Sequence, residues 1–203
     1  RGKVMTAEML DAGADFGRYK DVDGDGIPFR TYPGEHPSKG AYFTRGTSRN
    51  PYARYSEEGS VYVDNMQRLL RKFDTAKRLV PAPIVTKAKR KTPDGVIYFG
   101  STTPSMIEAL EHLEGQGRHL DAMRVRGFPF CDEIYEFVAA HERVFVVEQN
   151  RDAQLRTLLM NEGEIDPAKL VPVLHYDGTP ITARFIAGEI GQLLALGQIE
   201  AAE

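Results

Sequence analysis

The sequence predicts an α/β fold: a mostly parallel sheet with helices on both faces, preceded by a long irregular arm and a helix. Three observations carry this. After Pro93, short apolar runs alternate with helical patterns, the signature of strands joined by helical crossovers. Arg143–Glu148 (RVFVVE) is a continuous apolar run, as expected of a strand buried on both faces of a parallel sheet. Residues 11–60, by contrast, crowd turn signals and aromatics with no sustained periodicity.

In chain order, the arm carries turn signals at Asp23-Gly24-Asp25-Gly26, Pro33-Gly34 and Asn50-Pro51. Roughly fifty residues without regular structure are uncommon inside a compact domain. Tyr19, Phe29, Tyr32, Tyr42, Phe43, Tyr52 and Tyr55 are too many aromatics for a solvated tail, so the arm is expected to pack on a surface. Whether that surface lies within this sequence is open. Residues 61–80 read as a helix ended by Pro81, with Met66, Leu69, Leu70, Phe73, Ala76 and Val80 on one stripe. Arg68, Arg71, Lys72 and Lys77 fall mostly off it.

The α/β region starts with a strand at 95–100. A helix follows to about Gly115, with Thr103 as its cap and Pro104 at its first position. A strand is expected over 119–126, a helix over 132–141 and the strand at 143–148. Next come a helix over 151–161 with Leu155, Leu158 and Leu159 inward, and a short turn at Asp166-Pro167. A strand over 170–175 and a last helix, capped by Thr179 and running to about Leu196, complete the pattern.

Composition narrows the function classes. Hydrophobic residues are 41% and charged residues 27% of 203, a globular balance. No run approaches the roughly 18 apolar residues of a membrane span. Arg1-Gly2-Lys3-Val4 lacks the apolar stretch of a signal peptide. The first residue is not Met, so the chain is read as a processed or partial piece. A single cysteine, Cys131, cannot form an internal disulfide or supply an all-cysteine iron–sulfur or structural zinc site. A cytoplasmic setting is the expectation. Residues 1–95 hold 18 Lys/Arg against 12 Asp/Glu, and residues 96–203 hold 8 against 17, so the halves carry opposite charge. The run Lys87, Lys89, Arg90, Lys91 sits among Pro81, Pro83 and Pro93 and reads as a solvated linker. With no interleaved aromatics, it does not make a nucleic-acid patch.

Several constellations could carry chemistry. Asp21, Asp23 and Asp25 open like a calcium loop, but Tyr32 stands where the bidentate Glu belongs, and a tight turn with solvated carboxylates is expected. The turn Gly100, Ser101, Thr102, Thr103, Pro104 joins a strand to a helix, where free amides can hold an anion; a capping role is the plainer reading. Glu148, Gln149, Asn150 and Arg151 follow the most apolar strand, at the edge where open α/β sheets place ligands. Helix capping by Asn150 and surface pairing by Arg151 are the alternative there. Cys131 stands at a helix start, which can lower a thiol's pKa; without a neighbouring His it reads as a buried structural thiol. The five histidines show no metal-ligand spacing.

Specific stretches resemble one family. They are Arg18–Ile27 (RYKDVDGDGI), Gly40–Thr47 (GAYFTRGT), Val96–Thr102 (VIYFGST), Val146–Arg156 (VVEQNRDAQLR) and Leu174–Arg184 (LHYDGTPITAR). Together these resemble the carboxyl-terminal part of the alpha subunit of 2-oxoacid:ferredoxin oxidoreductases, with the 2-oxoglutarate branch nearest. The resemblance covers nearly the whole chain. It implies an enzyme that converts 2-oxoglutarate, coenzyme A and oxidised ferredoxin into succinyl-CoA, carbon dioxide and reduced ferredoxin. Thiamine diphosphate, Mg, an iron–sulfur cluster and coenzyme A serve the whole complex, and none of them is expected to be held by this chain alone. The implied partners are the beta subunit, the upstream part of the alpha subunit and, through the complex, ferredoxin; nucleic acid and membrane are not among them.

On the same resemblance, residues 1–60 correspond to the end of the pyrimidine-side domain and its arm. Residues 61–92 are a helix and a basic, proline-containing linker, and residues 93–203 a domain similar to the transketolase carboxyl-terminal domain. No catalytic or metal-binding residue transfers to this chain. Gly100, Ser101, Thr102, Glu148, Gln149, Asn150 and Arg151 stand as ligand or subunit contacts on physical grounds alone. A pyruvate or branched-chain 2-oxoacid enzyme, or a free-standing α/β interaction or ligand-binding domain, is the alternative.

Overall fold

The computed structural model describes residues 2–200, with side chains described through residue 196. Two compact units divide between Leu79 and Val80.

The second unit is the α/β region. Its sheet has five strands in the order β1-β3-β2-β4-β5: β1 Ile84–Thr86, β2 Asp94–Phe99, β3 Asp121–Val125, β4 Arg143–Glu148 and β5 Leu170–Leu174. Pairings among β2, β3, β4 and β5 are parallel, and only β1 runs antiparallel, on the edge beside β3. The helices α3 (Thr103–Gly115), α4 (Asp132–Ala139), α5 (Gln154–Gly163) and α6 (Ala183–Glu200) alternate with the strands. This is the mostly parallel sheet with helices on both faces that the sequence predicts.

Two apolar layers explain why it holds. On one face Val96, Tyr98, Phe145, Val147 and Val173 pack with Met106, Ala109 and Leu113 of α3 and with Ile186 and Ile190 of α6. On the other, Ile97, Met123, Val144 and Val146 pack with Ile134, Phe137 and Val138 of α4 and with Leu155 and Leu159 of α5. Alternate strand residues serve opposite faces, so a strand buried on both must be apolar where both faces are covered, as β4 is from Val144 to Val147. Fully burying each such side chain contributes about 1.5–3 kcal/mol.

Element ends differ from expectation in three places. Residues 84–86 lie within the stretch read as linker, yet pair with β3. The basic run after them is ordered in part by Asp121, whose carboxylate accepts from the Ala88 amide at 2.8 Å and from Lys87 Nζ at 2.7 Å. Thr103 is the first helical residue of α3 and its hydroxyl donates back to the Gly100 carbonyl, so it is not the side-chain cap. Before α6, Thr182 Oγ1 accepts from the Phe185 amide, while Thr179 binds Asp177; the capping residue is Thr182.

The first unit contains α1 (Ala7–Asp11), a long irregular stretch and α2 (Gly59–Ala76). Its helix buries only part of its apolar stripe: Met66 and Ala76 are half-buried. Leu69 (41% exposed), Leu70 (62%) and Phe73 lie exposed, whereas Arg68 is 7% exposed. The reason is local. The turn at 23–26 presents its carbonyls to α2, so α2 must offer donors: Arg68 Nη1 to Gly26 O at 3.1 Å and Thr75 Oγ1 to Asp25 O at 2.7 Å. Gly26 is at φ +77°, and a Cβ there would collide with the Arg68 and Lys72 backbone, so the approach requires glycine. Several arm aromatics are likewise exposed in this chain, Phe43 most of all.

Candidate functional site

The chain leaves β2 toward β3 and leaves β4 toward β5, so its direction across the sheet reverses between β2 and β4. In open α/β sheets the crevice outside the carboxyl ends of two such strands is where ligands bind. The loops that flank it are Gly100–Thr102 and Glu148–Asp152, the two stretches singled out from sequence.

The structure joins them through Gln149. Its side-chain amide donates to Ser101 Oγ (3.1 Å) and Thr102 Oγ1 (3.2 Å), and its carbonyl accepts from the Ile181 amide (3.3 Å). One side chain thus ties three loops across the reversal point.

Glu148 forms a second network. It is fully buried, and three donors converge on its carboxylate: the Leu155 amide (2.7 Å), the Arg156 amide (3.0 Å) and Asn150 Nδ2 (2.8 Å). Asn150 Oδ1 also accepts from the Gln154 amide at 3.2 Å. The first turn of α5 is therefore capped by Glu148 and Asn150 together, with the negative charge at the helix's positive end. Capping by Asn150 is as expected; the larger share belongs to Glu148. Arg151 turns outward to Asp152 at 2.7 Å, and Gly100, at φ +60°, has open space where a Cβ would stand.

Chemically, this arrangement fixes loops. The Glu148 carboxylate is engaged by amide donors. His175 follows β5 directly, buried against the Phe185 ring, with Nε2 3.5 Å from Asp177. Cys131 does not behave as a thiol activated by a helix start: burial pushes its pKa up, and a hydrogen bond with Glu133 adds to the rise. It is half-buried.

One feature is not legible as a site in sequence. Beyond Gly100 lies a cleft of about 570 Å³ walled by Phe99, Phe128, Phe130 and Leu155, with Arg124 and Arg126 in its lining. Arg126 reaches the Ala82 carbonyl at 3.4 Å, and Arg124 Nε is buried with no acceptor among the described residues. Aromatic walls beside positive charge suit an anionic group on an apolar body. Arg124 and Arg126 occur in an ordinary-looking strand end, Arg-Val-Arg-Gly-Phe-Pro-Phe, and only the fold brings them to this edge.

The Asp21, Asp23, Asp25 cluster is drawn together in the first unit, but its carboxylates are not simply solvated. Lys3 Nζ binds Asp23 (2.5 Å) and Asp25 (2.7 Å), and Arg71 binds Asp21 (3.2 Å). All three carboxylates are thus paired with cations of the chain itself.

No family model matches the sequence. A curated relative, the alpha subunit of 2-oxoacid:ferredoxin oxidoreductase 2 from Aeropyrum pernix, is 27% identical over 200 residues. The match takes in 96% of this chain and 30% of the relative. The chain resembles a 2-oxoacid:ferredoxin oxidoreductase alpha subunit. Among solved structures, 2-oxoglutarate:ferredoxin oxidoreductase from Magnetococcus marinus superposes at a TM-score of 0.76 with 21% identity, over 90% of this chain and 31% of that one. The two share a fold. The chain thus spans less than a third of the length of either similar protein. An inactive split gene transketolase tetramer aligns over 57% of this chain at a TM-score of 0.47.

Proposed function

We propose that this chain is part of a thiamine diphosphate-dependent 2-oxoacid:ferredoxin oxidoreductase, acting on 2-oxoglutarate, and that it supplies a structural and subunit-contact region without catalysing alone. The observation that carries this is the similarity to an alpha subunit along 96% of the chain. The carboxyl-edge geometry supports the non-catalytic part, because Glu148, Asn150 and Gln149 are committed to holding loops. In this reading residues 1–60 finish the pyrimidine-side domain, and the exposed Ser101 and Arg151 contact a neighbouring subunit in the cytoplasm.

The cofactors of such an enzyme do not fit this chain's residues. Cys131 is one thiol where a cluster needs several thiolates. The Asp21, Asp23 and Asp25 carboxylates, the one acidic group close enough to hold Mg among the described residues, are already met by Lys3 and Arg71. In this reading the cluster, the diphosphate and Mg are held by other parts of the enzyme, the beta subunit first. The curated relative is named for 2-oxoacids in general, which keeps a pyruvate or branched-chain enzyme as the second reading.

The test is to tag the chain in its native cells, purify it gently, and measure native mass, visible spectrum and 2-oxoacid-dependent viologen reduction. A brown assembly that turns over 2-oxoglutarate faster than pyruvate, with the isolated chain inactive, is expected. A colourless lone species without 2-oxoacid activity would contradict the reading, and a preference for pyruvate would move it to the second.

A further inference from the structure

In the first unit Tyr19, Arg49, Arg68 and Arg71 line a pocket of about 220 Å³, below the usual range for drug-sized ligands. Three guanidiniums stack around the Tyr19 ring: Arg49 at 5.2 Å, Arg18 at 5.4 Å and Arg68 at 5.8 Å from its centroid. Such clustering is unfavourable unless negative charge offsets it. The carboxylates in the lining offset only part of it: Asp21 acts on Arg68 through space, against the opposing charges of Arg18 and Arg71. Asp21 is taken by Arg71, and Asp64 makes no ion pair among the described residues, while Lys20, also in the lining, is held by Asp15.

Arg49 and Arg68 have no carboxylate partner among the described residues. Arg49 spends Nη1 on Tyr19 Oη (3.1 Å) and Nη2 on Gly46 O (2.6 Å); Arg68 spends Nη1 on Gly26 O and Nη2 on Asn65 Oδ1 (3.0 Å). Each keeps its Nε buried with no protein acceptor, and Arg68 as a whole is 7% exposed. A buried charged donor without an acceptor is costly, and planar guanidiniums are shaped to bind oxyanions.

We propose that this pocket is a binding site for a small oxyanion, phosphate or carboxylate, held by Arg49 and Arg68 beside Tyr19. Its size admits the anionic group and little more. The lining residues all belong to the first unit, and the occupancy of the site does not depend on the function proposed above.

The experiment is a proton–nitrogen correlation spectrum of the arginine Nε–H signals of the whole chain, titrated with sodium phosphate and, separately, sodium malonate. Chloride keeps ionic strength constant, because screening alone shifts exposed charges. The Arg49 and Arg68 signals are expected to move saturably with a low-millimolar or tighter midpoint, while those of Arg30 and Arg54 stay. Saturation by phosphate alone assigns a tetrahedral oxyanion and by malonate alone a carboxylate; either supports the site. No saturable shift, or an equal drift of all arginine signals, overturns it. Arg49→Gln is expected to weaken the Arg68 response at least tenfold, with the same spectrum reporting that the fold is intact. An unchanged response in that variant also overturns the proposal.

Discussion

The two units bury charge in opposite ways. In the second, Glu148 is surrounded by three donors and sits at a helix start, within a unit whose interior is built mostly of apolar side chains. In the first, Arg68 is buried with two acceptors, an orphan Nε and two further guanidiniums on the same ring. The first unit buries few apolar side chains, Met5, Leu10, Pro28 and Ala53 among the described residues, and relies on ion pairs and ring stacking. Its buried Thr44 and Ser48 hydroxyls also lack protein partners. An apolar core is sufficient by itself, whereas charge networks on a thin core are weakened by salt and completed by something that binds.

The largest expected effect strikes the self-sufficient core. Phe145→Ala removes a fully buried side chain between α3 and α6, and chemical denaturation should show a loss of about 3–5 kcal/mol. Next is Glu148→Gln. It keeps shape but turns an amide NH2 toward backbone donors, and a loss of about 2–3 kcal/mol is expected in the same measurement. A loss under about 0.5 kcal/mol would mean that the three bonds do not stabilise the loop.

A smaller effect concerns pH. Burial disfavours the Asp121 carboxylate, but its bonds from Lys87, the Ala88 amide and His141 outweigh that and hold its pKa below the ordinary value. A folded value below the unfolded one adds stability above the ordinary carboxylate range, which is lost as pH falls through the folded value. Asp121→Asn should therefore flatten the acid limb of the melting-temperature profile of the second unit. An unchanged acid limb would assign acid sensitivity to other carboxylates.

How much of this was readable in the sequence follows the same division. The strand at 143–148 and the helix at 132–139 were legible because burial on a sheet imposes a local apolar pattern. Residues 84–86 were not, because a three-residue edge strand among prolines has no periodicity to read. The burial of Arg68 in α2 was illegible for a physical reason: its acceptor is a carbonyl of a turn more than forty residues away. At the candidate site, the positions of Gly100–Thr102 and Glu148–Arg151 were legible from strand ends. The bridging by Gln149 was not, since it depends on two loops meeting in space. Arg124 and Arg126 were missed because no motif marks them.

The most direct test of the contrast is amide hydrogen exchange, followed by mass spectrometry, of the isolated chain at low and high salt. The Lys3 pairs with Asp23 and Asp25 are partly exposed and should each contribute less than about 1 kcal/mol, a share that salt removes. Residues 14–56 are predicted to lose protection as salt rises, while β2, β3, β4 and β5 keep theirs. Equal, salt-independent protection of both units would contradict the account, because the first unit would then have a sufficient core of its own.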